Sequence, residues 1–140
     1  MSFREKSAWI SLLANVVIYG AYFVSVAPAL MRGDVSRLSM FGMFAESTIA
    51  FVVVIVVLTV VTAVLAPKDA SAPQDEREKE ISLKGSAAAY YVMAPGVVVA
   101  LAGAFLGFSG VLVANALFLT LVLAETFKDA TQIFLYRRGA

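Results

Sequence analysis

The sequence predicts an all-α integral membrane protein with both termini in the cytoplasm. It is expected to be a single transmembrane domain over residues 1–140, a four-helix bundle of two antiparallel hairpins. Composition is the first reason: 61% of the residues are hydrophobic and 15% are charged, whereas a soluble domain is about half apolar and a quarter charged. The second reason is that four apolar segments recur, most of them about 20 residues long. A helix of that length crosses a hydrocarbon core of about 30 Å.

The first predicted span covers residues 8–30, a stretch of 23 residues without a charge. A secretory signal peptide has a shorter apolar core and a cleavage site of small residues. We therefore interpret the stretch as a transmembrane helix, with an uncleaved signal as the alternative. Pro28 lies close enough to the far end to be accommodated in the last turn.

The second predicted span, residues 43–66, is the most apolar. Its centre, residues 51–65, contains no charge, Gly or Pro, and twelve of these fifteen residues are Val, Ile, Leu or Phe. At about −0.3 to −0.6 kcal/mol each, they contribute roughly −4 to −7 kcal/mol towards membrane insertion. A buried strand has a similar composition, but strands usually stop near eight residues. The segment is therefore predicted to be a helix that Pro67 ends.

The third and fourth spans are predicted at residues 87–106 and 111–127. Pro95 should kink the third helix, because proline cannot donate a hydrogen bond to the carbonyl of Tyr91. The link 107–110 (GFSG) is so short that the two helices should be antiparallel neighbours. The fourth helix is expected to continue past the membrane to about residue 136.

The largest polar segment, residues 67–86, contains five acids and four bases. Asp75 with Lys79 and Glu80 with Lys84 have the i,i+4 spacing of helical ion pairs. We expect a short solvated helix in a cytoplasmic loop. Residues 75–84 form either a docking surface for a cytoplasmic partner or, as is commoner for charges of mixed sign, a solvated face.

The distribution of Lys and Arg predicts the orientation. The N-terminus, the 67–86 loop and the C-terminal tail together hold nine bases, and the 31–42 link holds two. Because Lys and Arg accumulate on the cytoplasmic side, both termini are expected there. The aromatic residues Trp9, Tyr90, Tyr91 and Tyr136 fall at the same end, as an interfacial belt would.

Several short motifs resemble those of a known group. They are FREKSAW near the start, DEREKEI followed by AYY in the loop, NALFLTLVLAE in the last span and the terminal YRRG. Together they resemble small, uncharacterised bacterial four-span integral membrane proteins. The resemblance covers most of the chain at scattered positions, and it implies a four-span topology in the bacterial inner membrane. It implies no chemistry, because no activity is established for that group.

Two acids are candidates for an ionisable site. Glu46 lies at the start of the second span, where it is either a coupling proton site or a first-turn acid stabilised by the helix dipole near headgroup water. Glu125 lies near the cytoplasmic end of the fourth span with Lys128 at i+3. A local ion pair is the simple interpretation of this second acid.

Uncharged polar residues and glycines within the spans predict helix contacts. Asn15 and Asn115 should bond across helices, at about 0.6 to 2 kcal/mol each. Tyr19 and Tyr22 line a cavity or fill the core, and the core is favoured. The pair Gly103 and Gly107 has the GxxxG spacing that allows close helix approach, within the bundle or between two copies.

The composition also limits the function. The chain has no Cys and no His, which removes thiolate nucleophiles, Cys-ligated metals, and the commonest general base and metal ligand. We expect no catalytic residue, cofactor, metal or nucleic-acid partner. The expected partners are the lipid bilayer and either a second copy of the chain or another membrane protein. The favoured function is a non-enzymatic module that binds or regulates a partner. The alternative is a small dimeric transporter or channel with its ionisable site at Glu46.

Overall fold

The structure is a computed structural model that describes residues 2–33 and 36–138. The chain is all-helical within these ranges, with no strand. Four long helices account for most of it: α1 (Phe3–Arg32), α2 (Arg37–Leu65), α3 (Glu76–Phe105) and α4 (Gly110–Arg138). Each is long and apolar enough to cross a membrane. The predicted all-α class with four long apolar helices is thus confirmed.

Helix α1 begins and ends with conventional caps but is irregular in the middle. Ser2 Oγ accepts a hydrogen bond from the backbone N–H of Glu5 at 3.2 Å, which satisfies one free donor of the first turn. The helix ends at Gly33, whose φ of 68° is the left-handed conformation that glycine adopts without a Cβ penalty. Between these ends, Asn15–Tyr19 form a π-helical turn, which the sequence analysis did not predict.

Helices α2 and α3 both start at polar caps. Ser36 Oγ accepts from Ser39 N at 3.4 Å, and Asp75 Oδ1 accepts from Glu78 N at 2.6 Å. Because Asp75 serves as a cap, Lys79 pairs with Glu76 instead, at 2.6 Å. The predicted Glu80–Lys84 pair is present at 2.8 Å.

The helices extend beyond the predicted spans. The charged segment expected as a separate short helix is continuous with the third span, so that both belong to α3. A four-residue helical turn, Pro67–Ala70, lies between α2 and α3. Pro95 lies inside α3, which stays helical from Glu76 to Phe105. Loss of one backbone hydrogen bond therefore does not end the helix, and the bend angle at Pro95 remains a prediction.

The helices lie side by side in the order α2, α1, α4, α3. Small residues allow α3 to approach α4 closely: Gly85 lies against Gln132, and Gly96 against Thr120. At the other end of the order, α2 packs mainly against α1, and the described residues show no extensive contact between α2 and α3. Helix α2 therefore lies at one edge of the molecule.

The buried core forms where α1, α2 and α4 meet. It consists of Tyr22, Val26 and Met40, with Phe118 among the partly buried residues around them. Met40 is the single buried residue of α2, and no residue in the most apolar 18-residue stretch of that helix is buried. The most hydrophobic helix thus contributes least to the core. This arrangement suits lipid, because acyl chains solvate apolar side chains as well as other helices do.

Candidate functional site

Polar side chains meet along the contact between α1 and α4. We call this set the α1–α4 seam: Ser11, Asn15 and Tyr22 on α1, and Asn115, Thr126 and Asp129 on α4. The spacings of four and seven residues on α1 place its three members on one face of the helix. The spacings of eleven and three on α4 do the same. The seam is the largest concentration of buried polar groups in the described part of the chain.

Asn15 lies at the start of the π-helical turn and is only 1% exposed. Its side-chain Nδ2 donates to the Val122 carbonyl at 3.2 Å and to Thr126 Oγ1 at 3.3 Å. Its Oδ1 is buried and has no partner among the described residues. The interhelical role proposed for Asn15 therefore uses its two donors and leaves an acceptor free.

Tyr22 and Asn115 form the other polar contact of the seam. The Tyr22 hydroxyl donates to Asn115 Oδ1 at 2.7 Å, and Asn115 Nδ2 donates to the Val111 carbonyl at 2.9 Å. Both side chains are buried. Since each polar atom named here has a partner, this pair connects α1 to α4 without an unsatisfied donor or acceptor.

Asp129 is the residue that the sequence analysis missed. It is 2% exposed, the Ser11 hydroxyl lies within hydrogen-bonding reach, and Oδ2 has no partner among the described residues. The neighbouring Lys128 pairs with Glu125, as predicted, rather than with Asp129. One signal was available in the sequence: Val122, Thr126, Asp129 and Ile133 follow each other at four, three and four residues, which places Asp129 on the buried face of α4.

A groove separates the first turns of α2 and α4. This α2–α4 groove has a volume of about 510 Å³, and Arg37, Phe41, Phe44, Gly110, Ala114 and Phe118 are among its lining residues. The size lies within the range of roughly 300–1,000 Å³ that is typical of small-molecule sites. Its lining is mostly apolar, with Arg37 as the charged residue.

Aromatic rings pack around Phe118 at the inner end of this groove. The ring of Phe118 lies 5.0 Å from Tyr19, 5.4 Å from Tyr22 and 4.8 Å from Phe44, each in an edge-to-face arrangement. Such aromatic pairs contribute about 0.5–1.5 kcal/mol beyond the area that they bury. Tyr19 and Tyr22 are both buried, which places them in the core, and Tyr22 also lines the groove.

Glu46 lies on α2 and is exposed. Its side chain forms no hydrogen bond or salt bridge with the described residues. The other predicted polar residues are buried: Asn15, Asn115, Tyr19 and Tyr22. The structure thus brings the predicted amides and tyrosines to the α1–α4 contact and leaves the predicted acid outside it.

The predicted glycine motif does not form one helical face. Gly103 is buried in α3, where an added Cβ would lie 2.9 Å from the Phe108 ring. Gly107 lies beyond the end of α3 with a φ of 83°, in the turn before α4. The GxxxG interpretation is corrected accordingly, because one glycine makes room for an aromatic ring and the other forms the turn.

Charged residues gather at the end of the molecule that contains the N-terminus. Arg4 Nε pairs with Glu78 Oε2 at 3.0 Å, and the Arg137 guanidinium lies 5.2 Å from the centre of the Trp9 ring. On the solvated start of α3, the Lys84 ammonium holds the pKa of Glu80 below its usual value through a hydrogen bond and its charge. The exposed Glu80–Lys84 pair contributes about 0–1 kcal/mol, whereas Glu78 in the Arg4 pair is largely buried.

Together these features define a small all-α protein whose four long helices suit a membrane, with a polar seam and a lateral apolar groove. No protein family, curated protein or solved structure matches the chain. Within the described residues, no group of three or more His, Cys, Asp or Glu could hold a metal ion.

Proposed function

We propose that this chain is a non-enzymatic multi-pass protein of the bacterial inner membrane that binds, and thereby regulates, another membrane protein. The observation that carries the proposal is the edge position of α2. This helix has the highest hydropathy of the four, yet it buries only Met40 against the rest of the chain. A helix so placed is half-buried on the face that packs against α1 and keeps its opposite face exposed for a partner helix.

The side chains of α2 suit helix packing in lipid. Ile49, Val53, Val57, Val60 and Val64 are exposed at spacings of three and four residues, and we call this stripe the α2 outer face. Association in a bilayer depends on van der Waals packing rather than on the hydrophobic effect. Val and Ile have one strongly preferred rotamer in a helix, so little side-chain entropy is lost when they pack.

The proposed topology has both termini in the cytoplasm and two antiparallel hairpins, α1 with α2 and α3 with α4. Lys and Arg counts support the orientation, and the short 106–109 turn supports the second hairpin. The charged end then faces the cytoplasm, where Arg4, Glu78 and the start of α3 are available to a partner's soluble part. Membership of the small bacterial four-span group is part of the same proposal and rests on the shared motifs.

The partner is proposed to be a transmembrane helix of a different protein. A photo-crosslinking residue introduced at Val57 in living cells tests this directly, with Val99 on α3 as a matched control because it is also an exposed valine. Val57 should give a discrete adduct that Val99 does not give. The adduct should disappear when Val53 and Val60 are both replaced by Trp, because two large rings would disrupt a packed face.

Two results would contradict the proposal. Equal labelling from Val57 and Val99 would mean that both positions face only lipid. An adduct of twice the mass of the chain would identify the occupant as a second copy.

No specific contact favours the alternative of a transporter working through Glu46, since that side chain is exposed and away from the buried polar groups.

A further inference from the structure

The α2–α4 groove is independent of the α2 outer face and has its own chemistry. We propose that it binds one anionic phospholipid of the surrounding bilayer, with an acyl chain along its aromatic wall and the phosphate at Arg37. The proposal concerns a ligand site and holds whether or not α2 binds a partner helix.

The shape of the groove fits a chain-like ligand. Phe41 and Phe44 lie on the α2 side, while Gly110 and Ala114 keep the α4 side open towards the mouth, up to Phe118 at the inner end. A Cβ added at Gly110 would meet nothing within 4 Å, so this wall is open where the groove begins. A slot that is open at its mouth and closed by aromatic rings at its inner end accommodates a flexible hydrocarbon chain better than a rigid ring system.

The polar groups of the groove are arranged for an amphiphile. Tyr22 and Asn115 also line it, but they form a hydrogen bond with each other at 2.7 Å and therefore need no polar group from a ligand. Arg37 lies in the first turn of α2 and is exposed, and no salt bridge to it occurs among the described residues. The groove therefore has one cationic group at its mouth and an apolar interior. The mouth complements the anionic head group of a lipid, and the interior suits its apolar chain.

The depth of the groove agrees with a lipid in its normal position. Seven residues separate Arg37 from Phe44, about 10 Å along a helix that rises 1.5 Å per residue. The Phe44 and Phe118 rings, 4.8 Å apart, close the inner end. Arg37 precedes the predicted second span by six residues, at headgroup level, so the phosphate and chain would keep the depth that they have in the bilayer.

Charge should select the head group. A basic residue near a membrane surface contributes about 1 kcal/mol towards anionic lipid, which corresponds to roughly a fivefold preference. Arginine suits phosphate in particular because its planar guanidinium presents two parallel donors. The apolar interior excludes a free phosphate ion, because a small anion alone would leave the aromatic wall unfilled.

Native mass spectrometry of the full chain, with dioleoyl phosphatidylglycerol and dioleoyl phosphatidylcholine as probes, tests the proposal. The unmodified protein should retain one phosphatidylglycerol with about fivefold preference over phosphatidylcholine. Arg37→Gln should abolish the preference, whereas the control Arg32→Gln, at an exposed arginine outside the groove, should keep it. Ala114→Leu, which fills the slot, should remove both lipids.

Three outcomes would overturn the proposal: equal retention of the two lipids by the unmodified protein, equal loss of preference in both arginine variants, or unchanged retention in a folded Ala114→Leu protein. A chain-labelled photoreactive phosphatidylglycerol gives a test on the unmodified protein that needs no substitution. Its adducts should fall within residues 40–44 or 110–118, and adducts confined to other segments would contradict the site.

Discussion

Two buried oxygens stand out at the residue scale. Asn15 Oδ1 and Asp129 Oδ2 lie on the same α1–α4 seam, and neither has a hydrogen-bond partner among the described residues. Thr126, which Asn15 contacts at 3.3 Å, precedes Asp129 by one turn. A buried polar atom without a partner costs about 1–3 kcal/mol, and more when it is charged. The seam therefore connects the first helix to the last at an energetic cost, to which both oxygens contribute.

Asp129→Asn is expected to raise thermal stability, because an amide cannot ionise within the buried seam and keeps the shape of the side chain. A gain of about 1 kcal/mol corresponds to roughly 3–6 °C in the unfolding midpoint for a chain of this size. The midpoint in detergent measures it, with the exposed Asp69→Asn as the control. A lower midpoint for Asp129→Asn would show that the carboxylate has a stabilising partner.

At the element scale, each helix has a different relation to its neighbours. Helix α3 approaches α4 through glycines, α1 meets α4 through polar side chains, and α2 meets α1 through a small aromatic and aliphatic core. Close packing and hydrogen bonds drive helix association in lipid. The α3–α4 and α1–α4 contacts use both, so they are expected to be the more stable part of the molecule.

Gly96→Ala tests the close approach of α3 and α4. Its added methyl group would collide with the Thr120 side chain, and overpacking of this kind costs about 1–3 kcal/mol. Gly42→Ala on α2 is the matched control, because its Cβ would meet nothing within 4 Å and alanine favours a helix by up to about 1 kcal/mol. The unfolding midpoint should fall for Gly96→Ala and stay the same or rise for Gly42→Ala. If the two variants behave alike, the helices are not in close contact at Gly96.

At the scale of the whole molecule, most contacts follow the order α2, α1, α4, α3. Helix α2 also contacts α4 near its start, through the Phe44 and Phe118 rings. Helices α1 and α4 are central, and α2 and α3 are at the edges. This order leaves the α2 outer face and the α2–α4 groove accessible from the side of the molecule. Both proposals above depend on this arrangement and not on any catalytic group.

The orientation of the whole chain gives a prediction at this scale. A reporter active only in the periplasm should give no signal when fused after Ala140 and should be active when inserted at Ser36, between α1 and α2. The reason is the excess of Lys and Arg, nine against two, on the side that carries both termini. Activity of the C-terminal fusion together with silence of the Ser36 insertion would reverse the topology.

The sequence by itself determined the helical class, the number of long apolar helices and their approximate positions. These follow from local properties: 12 of the 15 residues at 51–65 are large and apolar, and Pro67 and the 107–110 glycines mark where helices end. The Glu125–Lys128 and Glu80–Lys84 pairs were also predictable, because i,i+3 and i,i+4 neighbours meet on any helix.

Only the tertiary structure decided which helices touch and which polar groups are buried. Asp129 follows a lysine at the end of an apolar segment. Its spacing places it on one helix face with Val122 and Ile133, but that face is buried only because α1 lies across it. Likewise, Gly103 and Gly107 have the spacing of a packing motif, but the turn separates them. Hydropathy along a chain records how apolar each segment is, whereas burial depends on the neighbour that each face acquires. In a membrane protein that neighbour is as often lipid as another helix.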